Sequence, residues 1–141
     1  MKRVVVGTDG SAKAHTALQW AIDYARTHDG VVRVVNVWEF PYISSEAATM
    51  ASPSRDVFEE SANAIIDEAL AHVDTHGVTI ERVIREGQAA RALLDEAKHG
   101  DILVVGSRGH GGFAGLLLGS VATQCARHPE VPTVIVPTKD D

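Results

Sequence analysis

The sequence predicts a doubly wound α/β fold: one domain over residues 1–141, with a single parallel five-stranded sheet and helices on both faces. Three observations carry this reading. Five short runs rich in valine and isoleucine recur along the chain, residue types that suit a packed, pleated surface. Segments with apolar residues at helical spacing separate them, so strands and helices alternate throughout. Most of the strand runs are continuously apolar, as strands covered on both faces must be, where a half-exposed strand would alternate.

The first strand, Arg3 to Gly7, leads into the turn Gly7-Thr8-Asp9-Gly10-Ser11, which doubles as a helix cap. Lys13 to His28 follows with Ala17, Leu18, Ala21, Ile22 and Ala25 on one face, and Asp29-Gly30 stops it. The second strand runs from Val31 to Val37. Beyond it, Glu39 to Arg55 mixes proline, serine and alanine without a period; long loops of this kind in compact domains often act as lids or flaps. Trp20 and Trp38 suit core or rim equally. Val57 to His76 is the next helix, with Phe58, Ala62, Ile65, Ile66, Ala69 and Val73 along one face and Gly77 as its stop. Val78 to Ile84 is a more polar strand, fit for a sheet edge. A shorter helix from Ala89 to Lys98 stops at His99-Gly100; the strand Ile102 to Gly106, a helix from Ser120 to His128 and the strand Thr133 to Val136 complete the order. Right-handed crossovers place helices on both faces, and ligands of such sheets sit beyond the carboxyl ends of the strands where the winding reverses.

Composition narrows the function. At 141 residues and 45% hydrophobic content the chain supports one core, not two. Its 13 basic and 19 acidic residues give a net charge of −6 with no long block of either sign, which argues against a general grip on nucleic acid or an anionic membrane. No apolar stretch approaches the roughly 20 residues of a membrane span, and the N-terminal segment lacks the apolar core of a signal peptide. The single cysteine, Cys125, excludes an internal disulfide and fits a reducing compartment, with a buried structural thiol as its expected role. A cytoplasmic protein is expected.

The chemistry concentrates after the fourth strand, where residues 106–120 read GSRGHGGFAGLLLGS. Glycines let main-chain N–H groups approach an anion closely and permit positive φ. The N–H groups at the start of the helix after Gly119, with the positive end of its dipole, complete an anion site, and Ser120 adds a hydroxyl. If strands one and four are neighbours, Asp9 faces the same ligand. Other nucleotide motifs fail: no GxxxxGK[ST] is present, and the GxGxx[GA] pattern from Gly109 to Ala114 follows the wrong strand. A receiver domain would need an acidic cluster after the third strand, which Ile84-Arg85-Glu86-Gly87 does not supply. His72 and His76, four apart, have the spacing of a metal pair on a helix, but a solvated face is the plainer reading.

The spacing Gly106-x2-Gly109-x9-Gly119-Ser120 resembles the ATP-binding motif G-x2-G-x9-G-[S/T] of the universal stress protein family. Asp9-Gly10-Ser11 after strand one, the Val37 turn, residues 101–107 and the closing run 131–136 are similar to that family too, so the resemblance covers essentially the whole chain. It implies strand order 3-2-1-4-5, a cytoplasmic homodimer built partly through the fifth strand (Thr133 to Val136), and bound ATP, with AMP or ADP as alternatives. Carried over residue by residue, it places Gly106, Ser107, Arg108, Gly109, His110, Gly119 and Ser120 about the phosphates and ribose. Asp9, beside Gly7 and Thr8, falls near the nucleoside and a Mg²⁺ shared with phosphate oxygens, and the Val37 backbone meets adenine. The function implied is a nucleotide-dependent stress-response module; a slow ATP hydrolase and a nucleotide-free dimerising adaptor are the alternatives.

Overall fold

The computed structural model describes residues 2–38, 55–109 and 118–138. Among the described residues nine elements alternate: β1 (Arg3–Gly7), α1 (Ala12–Thr27), β2 (Val31–Trp38), α2 (Arg55–Ala71), β3 (Thr79–Glu86), α3 (Ala89–Ala97), β4 (Ile102–Gly106), α4 (Ser120–Arg127) and β5 (Thr133–Val136). The strands form one sheet in the order β3-β2-β1-β4-β5, every pairing parallel. Both the fold class and the strand order expected from the sequence are present.

Continuous valine runs make sense once the two faces are separated. Alternate residues of the central strands point to opposite sides. Val4, Val6, Val32, Val34 and Val104 pack with Leu18, Ile22, Ile66 and Ala69 of α1 and α2. Val5, Val35, Leu103 and Val105 pack on the other side with Leu93 and Ala97 of α3 and with Ala122 and Cys125 of α4. The polar strand β3 is an edge, as its composition suggests, and β5 is the opposite edge. Cys125 is fully buried, and burial pushes its thiol pKa up to about 11.

A second layer of order is ionic. Arg33 of β2 lies opposite Glu81 of β3 and pairs with it at 3.4 Å, while its other nitrogen reaches Glu96 of α3 at 3.2 Å. The second Glu96 oxygen accepts from Arg85 at 2.8 Å, so one nearly buried carboxylate fastens α3 to two strands.

Several boundaries differ from the sequence reading, and tertiary contacts explain the largest difference. Helix α2 stops at Ala71, not at His76, because the chain beyond it is claimed by α1. The Asp74 N–H donates to Gln19 Oε1 at 2.8 Å, and Arg26 donates to the carbonyls of Asp74 at 3.0 Å and His76 at 2.9 Å. His76 therefore does not share a helical face with His72. His72 instead stacks on His15 of α1, ring centroids 4.6 Å apart. The turn after α1 takes its left-handed residue at Asp29 (φ 52°), one position before the expected glycine. The two tryptophans, undecided in the sequence, are partly buried and stacked: Trp20 on Tyr24, Trp38 on Phe58. Of the proline-containing loop from residue 39 to 55, residues 39–54 lie outside the described residues.

Candidate functional site

A cavity of about 470 Å³ opens at the carboxyl ends of β1, β2 and β4, within the ~300–1,000 Å³ range of small-molecule sites. Its position follows from the winding. The crossover leaving β1 runs through α1 on one face and the one leaving β4 runs through α4 on the other, so the two adjacent strands part company there.

The β1 wall is the Gly7-Thr8-Asp9 turn. Thr8 is buried, and its hydroxyl accepts from the Gly10 N–H at 3.2 Å. Ser11 is the N-cap of α1, its hydroxyl accepting from the Ala14 N–H at 3.2 Å. The cap expected within Asp9-Gly10-Ser11 is thus present, and Asp9 supports it: its Oδ1 accepts from the Ser11 N–H at 2.9 Å. The other carboxylate oxygen lies against Gly109, where a Cβ would come within 2.6 Å of it.

The β4 wall is Gly106, Arg108 and Gly109, and the α4 wall is Gly119, Ser120, Val121 and Ala122. The Gly119 N–H donates to the Ser107 carbonyl at 2.6 Å, which locks the two stretches together. Gly119 is the N-cap of α4 and Thr123 makes the first helical bond back to it, so the N–H groups of Ser120, Val121 and Ala122 have no partner within the helix. They open at the cavity with the positive end of the helix dipole. The beginning of α3 (Ala89, Leu93), with Val35, Val37 and Val105, supplies an apolar wall. Two helix starts, the residues that directly follow β1 and β4 and a mostly apolar slot can thus hold an anion at one end and a flat apolar group at the other.

Nine of the residues expected from the sequence line this cavity: Gly7, Thr8, Asp9, Val37, Gly106, Arg108, Gly109, Gly119 and Ser120. Ser107 is not part of the lining. Its hydroxyl accepts from the Thr138 N–H at 3.1 Å and its N–H donates to the Val136 carbonyl at 2.8 Å, so it anchors β5 behind the site. His110 lies outside the described residues. The glycine argument also changes. Among described residues positive φ occurs in glycine only at Gly10, Gly77 and Gly87, so Gly106, Gly109 and Gly119 are set by close approach and not by a left-handed backbone. The α3 wall was not foreseen; the helical spacing of Ala89, Leu93 and Ala97 is visible in the sequence, but not that its first turn points into the cavity. His15 of α1 is not part of the lining. Burial foremost, and the neighbouring His72 ring, lower its pKa below the usual value, with Glu68 and Asp9 opposing.

Fold and cavity define the class first: a doubly wound α/β protein with an anion-suited pocket at its switch point. The chain matches the model of the Universal stress protein family over residues 1–137, and it belongs to that family. A universal stress protein of Mycolicibacterium smegmatis is 33% identical over 138 residues, which cover 94% of this chain and 47% of the relative. Another, from Mycobacterium tuberculosis, is 32% identical over 146 residues, covering 100% and 50% respectively. The chain thus spans about half the length of the curated relatives it matches. Among solved structures, a universal stress protein in complex with cAMP is similar with a TM-score of 0.75 and 30% identity over 98% of both chains. The hypothetical protein MJ0577 is similar in fold, with a TM-score of 0.81 at 22% identity over 99% of this chain and 98% of that one. Among the described residues no helix is long and apolar enough to cross a membrane.

Proposed function

We propose that the cavity binds an adenine nucleotide, ATP in the first place with ADP or AMP competing, and that residues 1–141 act as one nucleotide-dependent regulatory unit in stress response. The observation that carries this is that Arg108 and Gly109 after β4, the first turn of α4 with its unpartnered helical N–H groups at Ser120, Val121 and Ala122, and Asp9 line one cavity. Backbone amides and a helix dipole suit phosphate, the apolar slot between Val37 and Leu93 suits a base, and Asp9 suits ribose hydroxyls. A similar family member, 30% identical, holds cAMP, an adenine nucleotide. The described residues contain no cluster of three or more metal ligands, so Mg²⁺ would have to be shared between Asp9 and phosphate oxygens, as that ion commonly is. We further propose a cytoplasmic homodimer joined through β5, an edge strand whose Val134 and Ile135 are only partly buried.

Binding, rather than turnover, is the role the lining fits. Among the described residues its charged members are Asp9 and Arg108, whereas hydrolysis asks for an oriented water and charge stabilisation around a γ-phosphate. Mass spectrometry of ligand released from the purified protein, followed by phosphate release over hours, tests this. Retained adenine nucleotide with at most very slow turnover is expected. Repeated turnovers lost in Asp9→Ala would make the protein an ATP hydrolase, and no retained nucleotide with no thermal shift on adding ATP would make it an adaptor.

A further inference from the structure

We infer that Asn36 is a specificity-determining residue of this site: its side chain replaces one rung of the β1–β2 ladder and so frees the Val37 peptide edge to read a base. The inference deepens the nucleotide reading above and rests on it.

The register of β1 on β2 pairs Val6 with Val34 and Gly7 with Val35, and the Thr8 N–H continues the ladder by donating to the Val35 carbonyl at 2.9 Å. In a parallel ladder the next bond would run from the Val37 N–H to the Thr8 carbonyl. It is not among the backbone bonds of the described residues. The Thr8 carbonyl accepts instead from Asn36 Nδ2 at 3.0 Å. A carbonyl only accepts, so the atom facing it is the amide nitrogen and not Oδ1. Asn36 is 3% exposed and Thr8 5%. A buried carbonyl at this depth needs a donor, and the Asn36 side chain provides it one residue early.

The consequence falls on Val37. The Val35 carbonyl points toward β1 to receive Thr8, while the next-but-one carbonyl on the other side, that of Trp38, points toward β3, where it accepts from the Gly87 N–H at 2.9 Å. Alternation along the strand turns the Val37 N–H and C=O to the β1 side, where β1 has already left the sheet and the cavity begins. One donor and one acceptor, side by side at the edge of an apolar slot, match the N1 acceptor and N6 amino donor of adenine. They mismatch hypoxanthine, whose N1–H and O6 present the opposite pair. Without the Asn36 donor, Thr8 recruits the Val37 N–H, the ladder zips by one rung, and the reading edge closes.

The test combines two measurements on wild type, Asn36→Leu (similar volume, no donor) and Asn36→Asp (same shape, donor removed when ionised). The first is amide hydrogen exchange in the nucleotide-free protein. Val37 should exchange faster than Val35 in the wild type and become protected in the variants. The second compares affinities for ATP, ITP and inorganic tripolyphosphate. The wild type should prefer ATP to ITP by about tenfold or more. The variants should lose most of that ratio while binding tripolyphosphate as before. Wild-type protein whose Val37 amide is as protected as Val35, or variants that keep the ATP preference, overturn the role of Asn36 and leave nucleotide binding standing. Wild-type protein that binds neither ATP nor tripolyphosphate overturns the nucleotide reading itself, and the exchange measurement still decides whether Asn36 sets the ladder.

Discussion

Gly109→Ala is the sharpest probe of the phosphate wall, because the structure says what the added methyl group meets. A Cβ at this position lies 2.6 Å from Asp9 Oδ2 and 3.7 Å from Asp9 Cγ, closer than carbon and oxygen can approach, so the carboxylate must retreat by several tenths of an ångström. It cannot retreat freely, since its other oxygen is held by the Ser11 N–H at 2.9 Å. On the proposed nucleotide reading, the retreat drives Asp9 away from the ribose hydroxyls or breaks that bond. A hydrogen bond to a charged group contributes about 1.5–3 kcal/mol, so ATP affinity should fall by about 10- to 100-fold. The backbone at Gly109 is not left-handed, so alanine suits it and global stability should fall by no more than the Asp9–Ser11 bond contributes, about 1.5–3 kcal/mol. Gly119→Ala is the internal comparison. Its Cβ would sit 3.3 Å from Arg108 Cα, a tight contact and not a collision, and a loss of a few-fold at most is expected. Titration calorimetry with ATP, beside thermal unfolding of each variant, gives both quantities. A Gly109→Ala protein that binds ATP as the wild type does would refute the placement of Asp9 at the ligand.

The remaining predictions concern the scaffold. Burial and the neighbouring His72 lower the His15 pKa below 6.5, against Glu68 and Asp9, so the unfolded chain takes up a proton that the folded one resists. Stability is then full above about pH 6.5 and lost as pH falls from there toward the folded-state pKa; His15→Phe should flatten that part of the profile in urea titrations between pH 5 and pH 7.5. Cys125, with its pKa raised to about 11 by burial, should resist a maleimide in the folded protein near neutral pH and react at once in denaturant. Glu96→Gln leaves the Arg33 and Arg85 guanidinium groups without their shared carboxylate, and chemical denaturation should show a loss of about 2–3 kcal/mol, allowing for their partial exposure.

Much of the fold was legible because its signals are local. Valine runs with no polar alternation require cover on both sides, and Val4 to Val6 indeed alternate between the α1–α2 and α3–α4 cores. The main-chain limbs of the site were legible for the same reason, since the glycine spacing from Gly106 to Gly119 is a pattern in the chain itself. The misreadings arose where residues far apart in sequence decide. Helix α2 ends early because Gln19 and Arg26 capture the chain at residues 74–76. Gly109 is needed for the Asp9 carboxylate, 100 positions away, and not for its own φ. Ser107 sits inside the motif yet turns to Thr138. Asn36 is one polar residue within a valine-rich strand, and only the fold brings its side chain to the Thr8 carbonyl, 28 positions away.

A crystal structure grown with ATP and Mg²⁺ tests the central claim most directly. The account predicts phosphate oxygens within hydrogen-bond distance of the N–H groups of Arg108, Gly109, Ser120 and Val121, with ribose at Asp9 and the base edge at Val37. Clear density for nucleotide elsewhere, or a cavity filled by the protein's own side chains in the presence of saturating ATP, would contradict it.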